Sequence, residues 1–190
     1  FLTSPAGAAT KPPPFTGAAT GSVTCTAPVI KISFSPALTF TTGGTTITAK
    51  GKLGGCTTSG SNVTISKAKI VGTFSGAGTG CDGLATGITT NVNFTITWKG
   101  KTNAGGKATL TSSTVVLKGA APAFGPGMTV GFTLPNPSDP PGGSVVGSFP
   151  AASITTSSSV YSAMTETALS AKCAKKVTNL KVVTGSIKLP

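Results

Sequence analysis

Apolar residues recur at every second position over long stretches of this chain, the period of strands with one buried face. The clearest stretch sets Val92, Phe94, Ile96 and Trp98 against Asn93, Thr95, Thr97 and Lys99. A Gly/Asn/Lys turn over 100–106 follows, and 107–118 predicts the returning partner of a hairpin. Ile30, Ile32 and Phe34 alternate with Lys31 and Ser33 up to a stop at Pro36. After the turn signal Gly43-Gly44, Ile47, Ala49 and Leu53 share one face, with Thr46, Thr48, Lys50 and Lys52 on the other. Between Asn62 and Phe74 the parity changes. Val63 and Ile65 point inward, then Ala68, Ile70 and Phe74, so a bulge is expected at Ser66-Lys67. Thr129–Leu134 and Ser144–Phe149 predict shorter strands around the Pro-rich turn 135–143, and Leu180–Leu189 a closing strand bent at Gly185. One segment reads differently. Over Ser157–Cys173, Tyr161, Met164, Ala168 and Leu169 share a helical face, with Ser157 or Ser158 as the cap and Lys175-Lys176 at the end.

About nine or ten strands and one short helix near the C-terminus predict an all-β, largely antiparallel sandwich. Residues 22–190 read as a single domain, preceded by a Pro/Ala/Gly/Thr-rich arm over 1–21. Pro12, Pro13 and Pro14 favour an extended polyproline conformation, and Phe1, Leu2 and Phe15 are the arm's apolar anchors. Such an arm lies either on its own domain or on a neighbouring copy. In the second case it adds to a sheet edge through main-chain hydrogen bonds, and head-to-tail repetition gives a filament or ring. No repeat of solenoid or propeller length is present.

Composition sharpens this reading by what it lacks. Only 9% of residues are charged, against about 25% in ordinary domains, so Thr and Ser supply most of the polarity. His, Arg and Gln are absent, and the acids are Asp82, Asp139 and Glu166 alone. General acid–base chemistry draws on His or paired carboxylates, and these three acids lie far apart in sequence, so no enzyme, cofactor or metal is expected. Ser66-Lys67-Ala68-Lys69 spells S-x-x-K, but that motif works on a helix and here falls in a strand. The glycine-rich run 76–80 leads into Cys81 rather than a helix, so it makes no phosphate cradle. Asn62-Val63-Thr64 and Asn93-Phe94-Thr95 spell glycosylation sequons, which a Thr-rich chain also produces by chance.

All fifteen cations are Lys, for a net charge of +12. That field favours anionic envelope polymers such as teichoic acids, acidic glycans or lipid head groups, while scattered Lys would equally keep the protein soluble. Nucleic acid is not expected without Arg forks and with few stacking rings. Trp98 and Tyr161 are the sugar-stacking candidates, although Trp98 shares the apolar parity of Ile96 and reads as core.

Cys25, Cys56, Cys81 and Cys173 form no C-x-x-C pair, and with no His available they predict disulfides rather than zinc. Of the three pairings, Cys56–Cys81 and Cys25–Cys173 are favoured, the first closing a local loop and the second tying the first strand to the helix. The chain opens at Phe1 without a signal-like segment, as expected of a mature exported product. No apolar run is long enough for a transmembrane helix, and short strands argue against a pore.

The successions Gly21-Ser22-Val23-Thr24-Cys25, Phe34-Ser35-Pro36-Ala37-Leu38 and Lys52-Leu53-Gly54-Gly55-Cys56 resemble uncharacterised exported proteins of actinobacteria. The Gly-rich Cys81 loop, Trp98 at a strand end, Val146-Gly147-Ser148-Phe149 and Cys173 before a final Leu-Lys strand extend the resemblance over 21–190. It implies an immunoglobulin-like β-sandwich at the cell envelope and brings no catalytic residues. The expected function is therefore an exported structural component of the cell surface that self-assembles through its arm, a homo-oligomer or polymer. A polymer- or glycan-binding module is the alternative.

Overall fold

The computed structural model describes residues 10–41, 44–76, 80–81, 88–135 and 142–190. The period-two segments form strands β1 (Phe15–Gly17), β2 (Ser22–Leu38), β3 (Thr45–Ser59), β4 (Val63–Gly76), β5 (Ile88–Thr102) and β6 (Lys107–Leu110). They continue as β7 (Ser113–Gly125), β8 (Thr129–Leu134), β9 (Gly143–Val146), β10 (Ser158–Thr165) and β11 (Val177–Leu189). A helix, α1 (Glu166–Cys173), lies between the last two.

On β5, Val92, Phe94, Ile96 and Trp98 are buried and Asn93, Thr95, Thr97 and Lys99 exposed, as the alternation requires. The change of parity in β4 coincides with a shift of register against β5 between Ile65 and Lys67. Ser66 is the extra residue, and its hydroxyl donates to the Lys99 carbonyl at 3.0 Å. On β3 the inward sequence Ile47, Ala49, Leu53 is interrupted by Gly51. A Cβ there would stand 2.3 Å from the Val29 carbonyl oxygen, so β2 and β3 approach where only hydrogen fits.

β2 to β5 pair antiparallel in sequence order, and β11 closes onto β2. β10 pairs with β11, β8 with β10, and β7 with both β8 and β5. Eight strands thus form a closed ring in the order β2-β3-β4-β5-β7-β8-β10-β11. The all-β antiparallel architecture with one short helix near the C-terminus is as expected. The strands form one sheet closed through continuous ladders, whereas immunoglobulin domains keep two separate sheets. Closure leaves the ring without an unpaired edge. β6 and β1 extend outward from β5, and β9 lies beside β7.

The inward side chains fill the ring. Ile30, Phe34, Ile47, Phe94, Phe132 and Val160 surround an apolar cavity of ≈ 60 Å³, too small for a drug-sized ligand, so the interior is core.

Two expectations are corrected. Residues 158–165 are strand, with Ser158, Val160 and Ser162 inward, and the helix starts only after Thr165, whose hydroxyl caps it by accepting from the Ala168 N–H at 3.3 Å. Val160 and Tyr161 favour a pleated surface, serines are weak helix formers, and β10 fills the place in the ring between β8 and β11.

The disulfides are Cys25–Cys56 and Cys81–Cys173, not the pairing favoured above. Cys25 and Cys56 face each other in the β2–β3 register, with Cα atoms 3.9 Å apart. The 14 residues of β4 carry the chain from one mouth of the ring to the other, roughly 45 Å, so Cys56 and Cys81 stand at opposite ends. Each mouth therefore has its own staple. At the far mouth Cys81 reaches α1, while its N–H donates to the Thr39 carbonyl at 2.9 Å.

Candidate functional site

Two surfaces gather the residues that sequence singled out: the seat of the arm and the outer face of the ring.

Arm residues 10–21 run along the near mouth. Phe15–Gly17 adds as a parallel strand to β6, with Phe15 opposite Ala108 and Gly17 opposite Leu110. The Thr111 N–H donates to the Gly17 carbonyl at 2.9 Å. Pro12 is half-buried, and Pro13 and Pro14 are exposed. The carbonyls of Pro12 and Pro13 lie over Gly106, where a Cβ would stand 2.6 Å from the Pro13 oxygen. Phe1 and Leu2 lie outside the described residues.

Ala19 is the arm's innermost point and is fully buried. Its N–H donates to the Ser148 hydroxyl at 3.0 Å, and its carbonyl accepts from the Phe149 N–H at 2.7 Å. Behind it lies a buried polar relay. The Trp98 indole N–H donates to the Ser113 hydroxyl at 2.7 Å, Ser113 donates to the Ser148 carbonyl, and the Ser148 hydroxyl donates to the Thr111 carbonyl at 2.6 Å. The Phe149 ring meets Trp98 edge-on, with centroids 5.1 Å apart. Each group in the relay is satisfied, which fixes β5, β7, the 148–149 turn and the arm in one arrangement.

Trp98 is thus core, as its parity indicates, and offers no platform for a sugar. Tyr161 is half-buried and lies over Gly131, where a Cβ would stand 2.4 Å from its ring. Asn62 and Asn93 are exposed, and Asn62 accepts from the Thr20 N–H at 3.2 Å, steadying the end of the arm.

Comparison with family models, curated proteins and solved structures returns no match. The chain's own geometry therefore carries the functional reading.

Among the described residues, no group of three or more His, Cys, Asp or Glu side chains comes together, and no helix is long and apolar enough to cross a membrane. Asp82 and Asp139 lie outside the described residues, and Glu166 opens α1. Ser66 and Lys69, the ends of the S-x-x-K match, sit on β4, with Ser66 in the bulge and Lys69 opposite Lys52. Sequence reading missed Ser113 and Ser148, since nothing local distinguishes them among so many serines. It also missed the order among the lysines, for which a signal exists in Lys50-Gly51-Lys52, Lys67-Ala68-Lys69 and Lys99-Gly100-Lys101. In each triplet two lysines flank a small inward residue.

Proposed function

We propose that this chain is an exported, non-catalytic structural component of a cell surface that assembles with copies of itself by exchanging its N-terminal arm. The observation that carries this reading is that the arm lies outside the closed ring. The eight ring strands complete their ladders without β1, yet the arm brings a strand and a buried plug at Ala19. An element that is separable in topology but anchored by main-chain hydrogen bonds can take the same seat on a neighbour, as strand addition does elsewhere. The turn at Gly21, with φ 75°, is the pivot from which the arm departs. Two disulfides, one at each mouth, suit an oxidising compartment and hold the ring while the arm changes partner. A residue set without His and with three acids suits a scaffold rather than a catalyst.

Deleting residues 1–20 tests the reading by light scattering and negative-stain microscopy. The full chain is expected to form concentration-dependent assemblies, and the truncated chain to remain a monomer with the near-ultraviolet signal of a packed Trp98. Assemblies of the same form and extent after truncation would exclude the arm.

A further inference from the structure

The outward lysines are not scattered. Lys181 on β11 faces Lys31 on β2, which faces Lys50 on β3. Two residues along β3, Lys52 faces Lys69 on β4. Two residues along β4, Lys67 faces Lys99 on β5, and two residues along β5, Lys101 faces Lys107 on β6. Nine lysines, all exposed, form one unbroken staircase across six neighbouring strands. Neighbouring strands lie about 4.8 Å apart and alternate residues about 6.7 Å, so the staircase runs for roughly 30 Å.

Directly opposed like charges on a sheet destabilise it. None of the six strands carries an Asp or Glu to offset them. Solubility alone is served by lysines set apart, and protection of open edges does not arise because the ring strands have none. We propose that the staircase is a binding track for a flexible, linear phosphodiester polymer, a polyol-phosphate chain with one negative charge per repeat.

The chemistry of the face selects this partner. Lysine presents a compact point charge on a flexible stem, suited to successive single charges rather than to the planar, two-pronged contacts that arginine makes. No aromatic ring is exposed along the staircase. Phe94 and Trp98 point inward, and the residues flanking the lysines are Val29, Val71, Thr95 and Thr97. Sugar rings and nucleic-acid bases therefore find no stacking surface, and the track reads charge alone. The staircase also bends around much of a closed ring, so a flat bilayer meets only part of it while a flexible chain follows it throughout. This holds whether or not copies of the chain associate through the arm.

Titration of the full chain with synthetic poly(glycerol phosphate) at graded salt tests the track. Binding is expected to weaken steeply as salt rises. Replacing Lys31, Lys50, Lys69 and Lys99 by Thr is expected to weaken it roughly a thousandfold, given the usual contribution of each lysine near an anionic surface. A control with Lys11, Lys118, Lys172 and Lys176 replaced by Thr removes the same charge and is expected to bind within about threefold of the parent. Arginine at the four staircase positions retains binding, and far-ultraviolet circular dichroism of each variant confirms the strand content. Equal losses in the two threonine variants would reduce the effect to net charge and overturn the proposal. Tighter binding to phosphatidylglycerol vesicles or to single-stranded DNA than to the polymer would overturn the choice of partner.

Discussion

Replacing Trp98 by Ala is expected to cost about 3–5 kcal/mol, a fall in Tm of roughly 6–20 °C for a chain of this size. Two losses add at this position. The indole ring is buried against Phe149, so truncation forfeits its transfer energy and leaves a void under the 148–149 turn. Its N–H also begins the relay through Ser113 and Ser148 that ends at Ala19. With the indole gone, Ser113 is left with an unfilled acceptor, and water enters the seat of the arm. Trp98→Phe separates the two, since it keeps a ring and loses the N–H, and is expected to cost about 1–3 kcal/mol. Urea denaturation measures both values, and hydrogen exchange at the buried Ala19 amide reports the arm. That amide should exchange faster in Trp98→Ala. A stability within about 1 kcal/mol of the parent would mean that Trp98 is not the keystone of that mouth.

Removing the far-mouth staple by Cys81→Ser with Cys173→Ser is expected to cost about 4–5 kcal/mol. The bond closes a span of 92 residues, whereas Cys25–Cys56 closes 31 and is worth about 3–4 kcal/mol in the same chain-entropy account. The larger figure also has a local cause. α1 has only eight residues, too few to be stable alone, and is held by the staple and by the burial of Leu169 and Cys173. Without the bond, α1 and Cys81 are free to leave the mouth. Cys25 and Cys56 sit in adjacent, fully paired strands that keep their register when reduced. Calorimetry of the two double-serine variants should thus rank the far-mouth variant lower in Tm. The reverse order would mean that β2–β3 pairing depends on its disulfide.

The strands were legible in the sequence wherever one face meets the core and the other meets water. Thr129–Leu134 has the expected bounds, and the change of parity at Ser66 is the bulge that it predicts. Residues 158–165 were not legible, because Tyr161 and Met164 stand at a helical spacing while two of the three inward positions of β10 are Ser158 and Ser162, which carry no apolar alternation, and only a place in the ring makes the segment a strand. The disulfide pairing turned on which mouth each cysteine reaches, and that depends on the length and direction of β4. The return of β6 and β7 onto β5 falls within the predicted partner 107–118, but closure also depends on β11 pairing with β2 and β8 with β10, long-range pairings that alternation does not encode. The lysine staircase lay one step further away. Each K-x-K triplet was visible, but its continuity follows from the registers of five ladders taken together.

The exchange of arms is open to one direct measurement. Lys11 lies two residues before Pro13, whose carbonyl rests on Gly106, so a short amine cross-linker joins Lys11 to Lys107 across the seat. Isotopically heavy and light chains are unfolded, mixed in equal amounts, refolded and allowed to assemble before cross-linking. If arms are exchanged between copies, about half of the Lys11–Lys107 cross-links in the assemblies should join a heavy chain to a light one. If every such cross-link stays within a single isotope, each arm remains on its own ring, and assembly by arm exchange is wrong.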